Sequence, residues 1–384
     1  MSEIIYLDNA ATTKMFAEEF DLMKDGNSTL FYNPSAAYRV ARKTNAVFEN
    51  ARAEISNELK GDSGKLYFTS SATESNNTVF QGVHLRPGDV VLISAGEHPS
   101  VHEAALKLEK KGVIVKQIPL TREGVVNENE FVKLLNSSVA LVSVIHVSNE
   151  TGAVNDIKKL CEIVKRFNKE IIFHSDGVQA FGKIKINLKD LGVDLYTISA
   201  HKIYAPRGIA GLWVKKNVLV DSLLVGGGQE DGFRSSTENV FGAMAFAFAA
   251  KKVCKDIDLN SKKVKEFKQL FLNQLLNSKI GGYVRVNSVE SSVPHIVSIS
   301  FAGLKGEVLM NALEGDGVLV STGSACSSKK AGNKTLTAMG VDFDSVVGSI
   351  RVSFSAYENY DFEKIGEIFE RNVLRFLKNV NVRK

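Results

Sequence analysis

The chain has 384 residues, of which 44% are hydrophobic and 24% charged, a globular composition whose length suits a large domain plus a smaller one. Its net charge of +5 is spread without a block rich in Lys and Arg, so we expect no direct binding to nucleic acid. We expect no signal peptide, because the first residues do not combine basic side chains with a following apolar run. We also expect no membrane span, because no segment is long and apolar enough to cross a bilayer.

The first two-thirds of the chain alternates short apolar runs with amphipathic stretches whose apolar residues recur at steps of three and four. Strands buried on both faces and separated by helices are typical of an α/β fold with a mostly parallel sheet. The predicted strands lie at residues 65–69, 89–94, 139–147, 170–174, 194–199 and 209–214. A helix of small residues gives way to polar sequence near residues 251–260, where a second unit is predicted to begin.

Polar or ionisable groups follow five of the predicted strands. They are SSATESNN (70–77), then His98, then Asn149, then Asp176 with Gln179, and finally His201 with Lys202. Because ligands bind beyond the carboxyl ends of parallel strands, these groups predict one site at one edge of the sheet.

Two of these groups allow both a functional and a structural interpretation. The backbone N–H groups that open the helix in SSATESNN, with the hydroxyl of Thr73, would bind a phosphate; the alternative is an N-cap with Glu74 in a capping box. Lys202 would be a Schiff-base nucleophile if burial lowers its pKa, and the alternative is a surface lysine.

Three further charged or ionisable residues are ambiguous in the same way. Asp176 would pair with a protonated ring nitrogen of a cofactor, or with a core arginine. His98 would stack on an aromatic ring or relay a proton, or would be a structural histidine. Arg351, in the strand-like run GSIRVSFS, would bind a substrate carboxylate or form an internal ion pair.

The three cysteines are too scattered for a disulfide framework or a metal site, which favours the cytoplasm and no bound metal. Cys161 and Cys254 fall in helical patterns and are predicted to be inert. Cys326 lies in STGSACSSKK, a run of small polar residues, where Lys329 and Lys330 favour the reactive thiolate.

Taken in order, these motifs resemble the cysteine desulfurases (NifS/IscS-like) of the class V aminotransferase family, which depend on pyridoxal 5′-phosphate (PLP). The resemblance runs nearly end to end, and the motifs that contain Lys202 and Cys326 are its most specific parts. The matching segments are YLDNAATT (6–13), NPS (33–35), TSSATESNN (69–77), EHPSV (97–101), SNETG (148–152), SDGVQAFGKI (175–184), SAHKIYAPRG (199–208), GGGQEDGFRSSTEN (226–239), STGSAC (321–326) and SIRVS (349–353).

The resemblance implies the type I fold of PLP-dependent transferases, in which a mostly parallel seven-stranded sheet forms the large domain. We place this PLP-binding domain at residues 14–252. A smaller α+β domain, which carries the Cys326 loop, is placed at residues 1–13 and 253–384.

The resemblance also implies a role for each matching residue. Lys202 should bind PLP covalently and Cys326 should attack the substrate's sulfur. Asp176 should pair with the pyridine nitrogen, Gln179 should bond the ring hydroxyl, and His98 should stack over the ring. The residues implied for the phosphate are Ser71, Ala72, Thr73, Ser199, His201 and, from a neighbouring subunit, Thr237. Asn149 and Arg351 should hold the substrate carboxylate. Asn149 is also expected to contact the cofactor, and His98 is expected to act as a catalytic residue with Lys202 and Cys326.

The implied activity is conversion of L-cysteine to L-alanine by a homodimer. The sulfur would pass as a persulfide on Cys326 to an acceptor protein, either an iron–sulfur scaffold or a tRNA-thiolating enzyme. The alternatives are a class V aminotransferase and a selenocysteine lyase-type PLP enzyme. The sequence departs from the family pattern at Ser71, where Gly is usual, at Asp231 and Ser236, and after Cys326, where Leu-Glu-Pro is missing.

Overall fold

The structure is a computed structural model and describes residues 4–323 and 333–381. In chain order, strands β1 to β12 are Ile5–Tyr6, Gly64–Thr69, Val90–Ser94, Ile114–Ile118, Val139–Ser143, Ile172–Asp176, Leu195–Ser199, Ala210–Lys215, Val284–Val286, Ile296–Phe301, Val318–Leu319 and Ser349–Ser353. Helices α1 to α13 are Ala17–Thr29, Arg39–Glu58, Ala72–Gly82, Pro99–Glu109, Glu128–Leu134, Ile157–Phe167, Leu188–Leu191, Val240–Lys255, Ile257–Leu276, Gly306–Gly315, Lys334–Ala338, Phe343–Val347 and Phe362–Asn381.

Seven strands form the central sheet in the order β2-β8-β7-β6-β5-β3-β4. Strand β8 runs antiparallel to both of its neighbours, and the other adjacent pairs are parallel. The inner strands β3 and β7 are buried along their whole length, as expected where helices cover both faces. The predicted α/β class with a mostly parallel seven-stranded sheet is therefore confirmed.

Strands β4 and β5 differ most from the sequence prediction. Strand β4 was not predicted, because it lies at the sheet edge and only one of its five residues is buried, so it lacks an apolar run. Strand β5 ends at Ser143 instead of Val147, although the residues beyond it stay buried. There the chain bends into the turn that pairs Val147 with Val154.

The connecting helices bury one apolar stripe each. In α6 the buried residues are Ile157, Leu160, Cys161 and Val164, which recur at the spacing of one helix face. Asp156 caps this helix by accepting a hydrogen bond from the Lys159 N–H. Among the described residues, no helix combines the length and hydropathy needed to cross a membrane.

The remaining strands form two small sheets. Strands β12, β10 and β9 are antiparallel, and β1 pairs in parallel with β11. A second apolar core fills the space around them and contains Phe271, Phe301 and Phe369. Helix α8 ends at Lys255 and α9 begins at Ile257, so the proposed boundary near residue 252 falls close to a helix break.

Candidate active site

A cavity of about 380 Å³ opens at the carboxyl ends of the central strands, beside the N-terminal segment and β12. Ten of the predicted site residues line it: Ser71, Ala72, Thr73, His98, Asn149, Asp176, Gln179, His201, Lys202 and Arg351. Ser199 is buried at the end of β7, and Thr237 is exposed on the segment 226–239, here called the glycine-rich loop; neither lines the cavity. Cys326 lies outside the described residues.

Lys202 ends a short 3-10 turn that follows β7 directly. Its Nζ donates hydrogen bonds to the carbonyl oxygens of Ala10 (2.7 Å) and Ala11 (2.6 Å). Burial, together with the positive charge of Arg351, lowers the pKa of Lys202 to about 8. An amine with this pKa is far more available as a nucleophile near neutral pH than a surface lysine.

Asp176 is the last residue of β6 and is 3% exposed. Its carboxylate accepts hydrogen bonds from Asn76 Nδ2 (2.9 Å) and from the backbone N–H of Val178 (3.0 Å). No Lys, Arg or His of the described residues forms an ion pair with it, so a core arginine is not its partner. A buried carboxylate held only by neutral donors suits a cationic group brought by a ligand.

His98 is linked to Asp176 through two side chains. The Nδ1 of His98 accepts a hydrogen bond from the backbone N–H of Ser100 (3.1 Å). The Oγ of Ser100 in turn accepts from Asn76 Nδ2 (2.8 Å), the amide that also reaches Asp176. Since Nδ1 is an acceptor, the ring proton of His98 lies on Nε2, and burial lowers the pKa of His98 so that the ring stays neutral.

Two interpretations were considered for SSATESNN, a phosphate-binding helix start and a structural N-cap, and the start of α3 has features of both. Ser71 caps the helix, since its Oγ accepts from the Glu74 N–H (3.1 Å). The Glu74 carboxylate accepts from the Ser70 N–H (2.8 Å) and forms an ion pair with Arg234 from the glycine-rich loop (2.8 Å). Among the described residues the backbone N–H groups of Ala72 and Thr73 have no partner, so both are available to an anion at the positive end of the helix.

Arg351 is 6% exposed and its guanidinium is only partly paired. Its Nη2 forms an ion pair with Asp8 (2.8 Å), and its Nη1 donates to the carbonyl oxygen of Asn149 (2.8 Å). Its buried Nε has no partner among the described residues. The internal ion pair is therefore present, and each Nη group of this cavity-lining guanidinium keeps a second N–H for a substrate carboxylate.

The N-terminal segment forms one wall of the cavity, which the sequence reasoning did not assign to any role. Gln179 Nε2 donates to the Ala10 carbonyl (2.8 Å), and His201 Nδ1 lies 3.1 Å from Thr12 Oγ1. Burial and the charge of Lys202 lower the pKa of His201 to about 4, so this ring is neutral. The available signal was the motif YLDNAATT, which also supplies Asp8.

The other two cysteines lie away from this cavity. Cys161 is buried and Cys254 half-buried, and burial raises the pKa of both thiols to about 12. Neither thiol forms appreciable thiolate near neutral pH, in agreement with the prediction that both are inert.

Known proteins resemble the chain over nearly its whole length. A family model described as Aminotransferase class-V matches residues 5–361. The cysteine desulfurase IscS of Dictyoglomus turgidum is 35% identical over 381 residues, which cover 97% of this chain and 96% of that protein. Cysteine desulfurase IscS 1 of Archaeoglobus fulgidus is 32% identical over 368 residues, covering 94% and 95%.

A solved structure of a NifS-like protein agrees with this result in three dimensions. It matches the chain with a TM-score of 0.87 at 31% identity, covering 98% of this chain and 99% of that one. The resemblance found in the sequence motifs is confirmed. The chain therefore belongs to the class V aminotransferase family of PLP-dependent enzymes, among the cysteine desulfurases of the IscS and NifS type.

Proposed function

We propose that this chain binds PLP at Lys202, converts L-cysteine to L-alanine, and passes the sulfur through Cys326 to an acceptor protein. One observation carries the proposal. A single cavity is lined by Lys202, by a buried Asp176 whose carboxylate has no cationic partner among the described residues, and by Arg351. These are the groups needed to hold an aromatic aldehyde cofactor and an amino acid together.

The residues of the cavity fit PLP in kind. We assign the covalent bond to Lys202, the pyridine nitrogen to Asp176, the ring hydroxyl to Gln179 and the ring face to His98. The phosphate is assigned to the start of α3 and its neighbours: Ser71, Ala72, Thr73, Ser199, His201 and Thr237 of a second copy of the chain. The free N–H groups of Ala72 and Thr73 support this assignment, and the exposed position of Thr237 suits a contact with another subunit.

When bound, PLP supplies an electron sink for the bonding electrons released at the substrate Cα. The protein supplies position and proton transfer. The Arg351 guanidinium and the Asn149 side chain hold the substrate carboxylate, because both residues line the cavity and Arg351 already binds the Asn149 carbonyl. Lys202 takes the Cα proton, a role favoured by its lowered pKa.

The sulfur step is assigned to Cys326. Its thiolate attacks the substrate Sγ, so that an S–S bond forms while the Cβ–S bond breaks, and the carbon product gains a proton and leaves as alanine. Gly323, the last described residue before the segment that contains Cys326, lines the cavity. The resulting persulfide then transfers its outer sulfur to an iron–sulfur scaffold or a tRNA-thiolating enzyme.

The first test measures the visible absorbance of the purified protein, and then sulfide and alanine released from L-cysteine with a reductant. We expect PLP absorbance and equal amounts of both products. Cys326→Ala should keep the absorbance and lose sulfide, and Lys202→Ala should lose both. Cys254→Ala is the matched control, because its thiol is inert, and should behave as wild type.

Other outcomes would contradict the proposal in distinct ways. Sulfide release by Cys326→Ala at the wild-type rate would remove Cys326 from the reaction. A dependence on an added keto acid would indicate a class V aminotransferase, and turnover of selenocysteine without turnover of cysteine would indicate a lyase of the selenocysteine type.

A further inference from the structure

One ion pair connects the glycine-rich loop to the start of α3, where the phosphate of PLP is assigned. Arg234 Nε lies 2.8 Å from Glu74 Oε1, and Arg234 Nη2 lies 3.2 Å from Glu74 Oε2, so the guanidinium contacts both carboxylate oxygens. Both side chains are largely buried, with 20% of Arg234 and 10% of Glu74 exposed. A two-point contact with little exposure is stronger than an ordinary surface ion pair. The proposed reaction gives neither residue a role.

Glu74 places a negative charge close to where the proposed function binds another one. It is the third residue of α3 and lies in the same turn as the free N–H groups of Ala72 and Thr73. Burial raises the pKa of Glu74, but hydrogen bonds from Arg234 and Ser70 outweigh burial and hold this pKa below its usual value. The carboxyl group is therefore ionised at neutral pH. Because a phosphate group is also negative there, an uncompensated Glu74 would oppose its binding.

The groups assigned to the phosphate do not compensate this charge. They are backbone N–H groups, hydroxyl groups and the ring of His201, whose pKa of about 4 keeps it neutral. Among the described residues, Arg234 is the only basic side chain that forms an ion pair with Glu74. Arg234 does not line the cavity, so it acts on the phosphate through Glu74 and not by direct contact.

The ion pair also leaves the start of α3 open to an anion. In a capping box, the carboxylate of the third helical residue accepts from the N–H of the cap residue, which is Ser71 here. Glu74 Oε2 accepts instead from the Ser70 N–H (2.8 Å), one residue earlier, and the same oxygen contacts Arg234. The two N–H groups that follow the cap therefore have no competing acceptor from this side chain.

Other contacts hold the loop in place next to Arg234. Glu230 is 8% exposed and accepts hydrogen bonds from Arg52 Nη1 (2.7 Å) and Nη2 (3.0 Å) in α2. The ring of Phe233 stacks on Tyr67 of β2, with the ring centres 4.0 Å apart. Because these contacts do not involve Arg234, loss of its guanidinium changes the charge at α3 more than it changes the path of the loop.

We propose that Arg234 is a positioning residue for the phosphate group of PLP, which it serves by neutralising Glu74 and holding that carboxylate off the free N–H groups. This role rests on the proposed function, because it takes the phosphate to bind at the start of α3. It adds an electrostatic requirement that none of the assigned contacts contains. The requirement concerns the phosphate alone, so binding of pyridoxal, which has the same ring and aldehyde without a phosphate, does not depend on Arg234.

The test measures the dissociation constants of PLP and pyridoxal for the full-length apoprotein by calorimetry. Wild type should bind PLP more tightly than pyridoxal. Arg234→Gln should weaken PLP binding by about 10-fold, as expected for one uncompensated charge near a phosphate, and should change pyridoxal binding by less than about 2-fold. Glu74→Gln breaks the same ion pair but removes the negative charge, so it should keep PLP binding close to wild type. The double variant Glu74→Gln/Arg234→Gln should recover most of the PLP affinity.

Lys65→Gln is the control, because Lys65 pairs with Asp231 of the same loop and neither residue lines the cavity. Both of its dissociation constants should match wild type. Equal weakening of PLP and pyridoxal binding by Arg234→Gln would assign a purely structural role to the ion pair and overturn the proposal. So would equal losses of PLP affinity in Glu74→Gln and Arg234→Gln. A wild-type protein that binds no PLP would instead overturn the proposed function, and this role with it.

Discussion

At the scale of single residues, one amide connects the two groups assigned to the PLP ring. Asn76 Nδ2 donates to Asp176 (2.9 Å) and to Ser100 (2.8 Å), which holds His98. We expect Asn76→Ala to lower kcat/KM for cysteine by about 10-fold to 100-fold, since a hydrogen bond to a buried carboxylate contributes about 1.5–3 kcal/mol. The measurement is steady-state sulfide release together with the PLP dissociation constant.

The control for this change is the neighbouring amide. Asn77→Ala removes a side chain that bonds only the Thr73 carbonyl one helical turn back, and it should leave kcat/KM within a few-fold of wild type. If Asn76→Ala and Asn77→Ala fall by the same factor, the loss reflects α3 as a whole and not the link to Asp176.

The pH dependence of cofactor uptake tests the charge around Lys202. Only the unprotonated amine attacks the aldehyde, so the rate of PLP uptake by the apoprotein should rise with pH, with a midpoint near the Lys202 pKa of about 8. Arg351 lowers this pKa and Asp8 raises it. Arg351→Gln removes the first effect and frees Asp8, so we expect the midpoint to move to higher pH.

Stopped-flow absorbance across the pH range measures this midpoint. Arg285→Gln serves as the control, because this arginine is exposed and pairs with Asp342 away from the cavity. A midpoint that stays in place in Arg351→Gln would mean that burial alone sets the reactivity of Lys202.

Residues at strand ends could be predicted from the sequence because strand direction fixes where they lie. Lys202, Asp176 and His98 were found in this way, and all three line the cavity. Asp8 and Asn76 were not found, since their roles depend on partners distant in sequence, such as Arg351, which is 343 residues from Asp8. Asp231, which departs from the family pattern, forms an ion pair with Lys65. The local sequence around either residue does not predict this pair.

At the scale of elements, Glu150 fixes both described ends of the segment that contains Cys326. Its Oε2 accepts from Asn333 Nδ2 (2.7 Å) and its Oε1 from Asn149 Nδ2 (2.8 Å). Gly323 packs so closely that an added Cβ would lie 2.3 Å from the Glu150 carboxylate, and its φ of 85° also favours glycine. Gly323, the start of helix α11 and the proposed carboxylate site are thus all in contact with one side chain.

Asn333→Ser tests this connection without removing the helix cap. Asn333 Oδ1 accepts from the Leu336 N–H (3.1 Å), which a serine hydroxyl also does, whereas serine cannot replace the donor to Glu150. We expect kcat for sulfide release to fall by about 10-fold, the lower end of what one lost hydrogen bond to a charged group costs, with little change in KM or PLP absorbance.

The same substitution in another helix cap provides the comparison. Asn127 caps α5 by accepting from the Glu130 N–H (3.3 Å), away from the cavity, so Asn127→Ser should leave kcat unchanged. Equal kcat values for Asn333→Ser and wild type would show that the contact with Glu150 does not position the segment for sulfur transfer.

The elements themselves were predictable where burial produces a pattern. The mostly apolar and fully buried strands β3 and β7 are inner strands, whereas the exposed edge strand β4 has no such run. Strand β6 ends at Asp176, two residues later than predicted, because the sheet continues into the polar sequence HSD. The pattern of apolar residues in the sequence reflects which side chains are buried. It therefore does not predict a strand that is exposed, or the part of a strand whose buried residues are polar.

At the scale of the whole molecule, the N-terminal segment joins the two structural units. Leu7 bonds the β11 backbone, Asn9 reaches the Ser353 carbonyl (3.0 Å), and the Thr13 N–H donates to the His201 carbonyl (3.0 Å). The cavity wall therefore depends on contacts with both units. Such long-range contacts determine the site, and local sequence patterns carry no information about them.

A second copy of the chain is the remaining component of the proposed site. Thr237 is exposed and lies outside the cavity, on a loop preceded by Val225, which is 87% exposed. An exposed apolar side chain beside a predicted partner contact favours an interface there. If Thr237 reaches the phosphate of the other subunit, Thr237→Val homodimers should bind PLP several-fold more weakly, because each site loses one hydroxyl donor to a charged oxygen.

Mixed dimers of Lys202→Ala and Thr237→Val subunits distinguish contact between subunits from contact within one. If the contact crosses the interface, the Lys202→Ala subunit donates an intact Thr237 to the site that keeps Lys202. That site is then complete, and purified mixed dimers should show about half the wild-type activity, with wild-type PLP affinity at the active site. If Thr237 served its own subunit, the only site with Lys202 would lack the hydroxyl, and PLP affinity would match the Thr237→Val homodimer. Two different affinity tags allow the mixed dimers to be purified and compared directly with both homodimers.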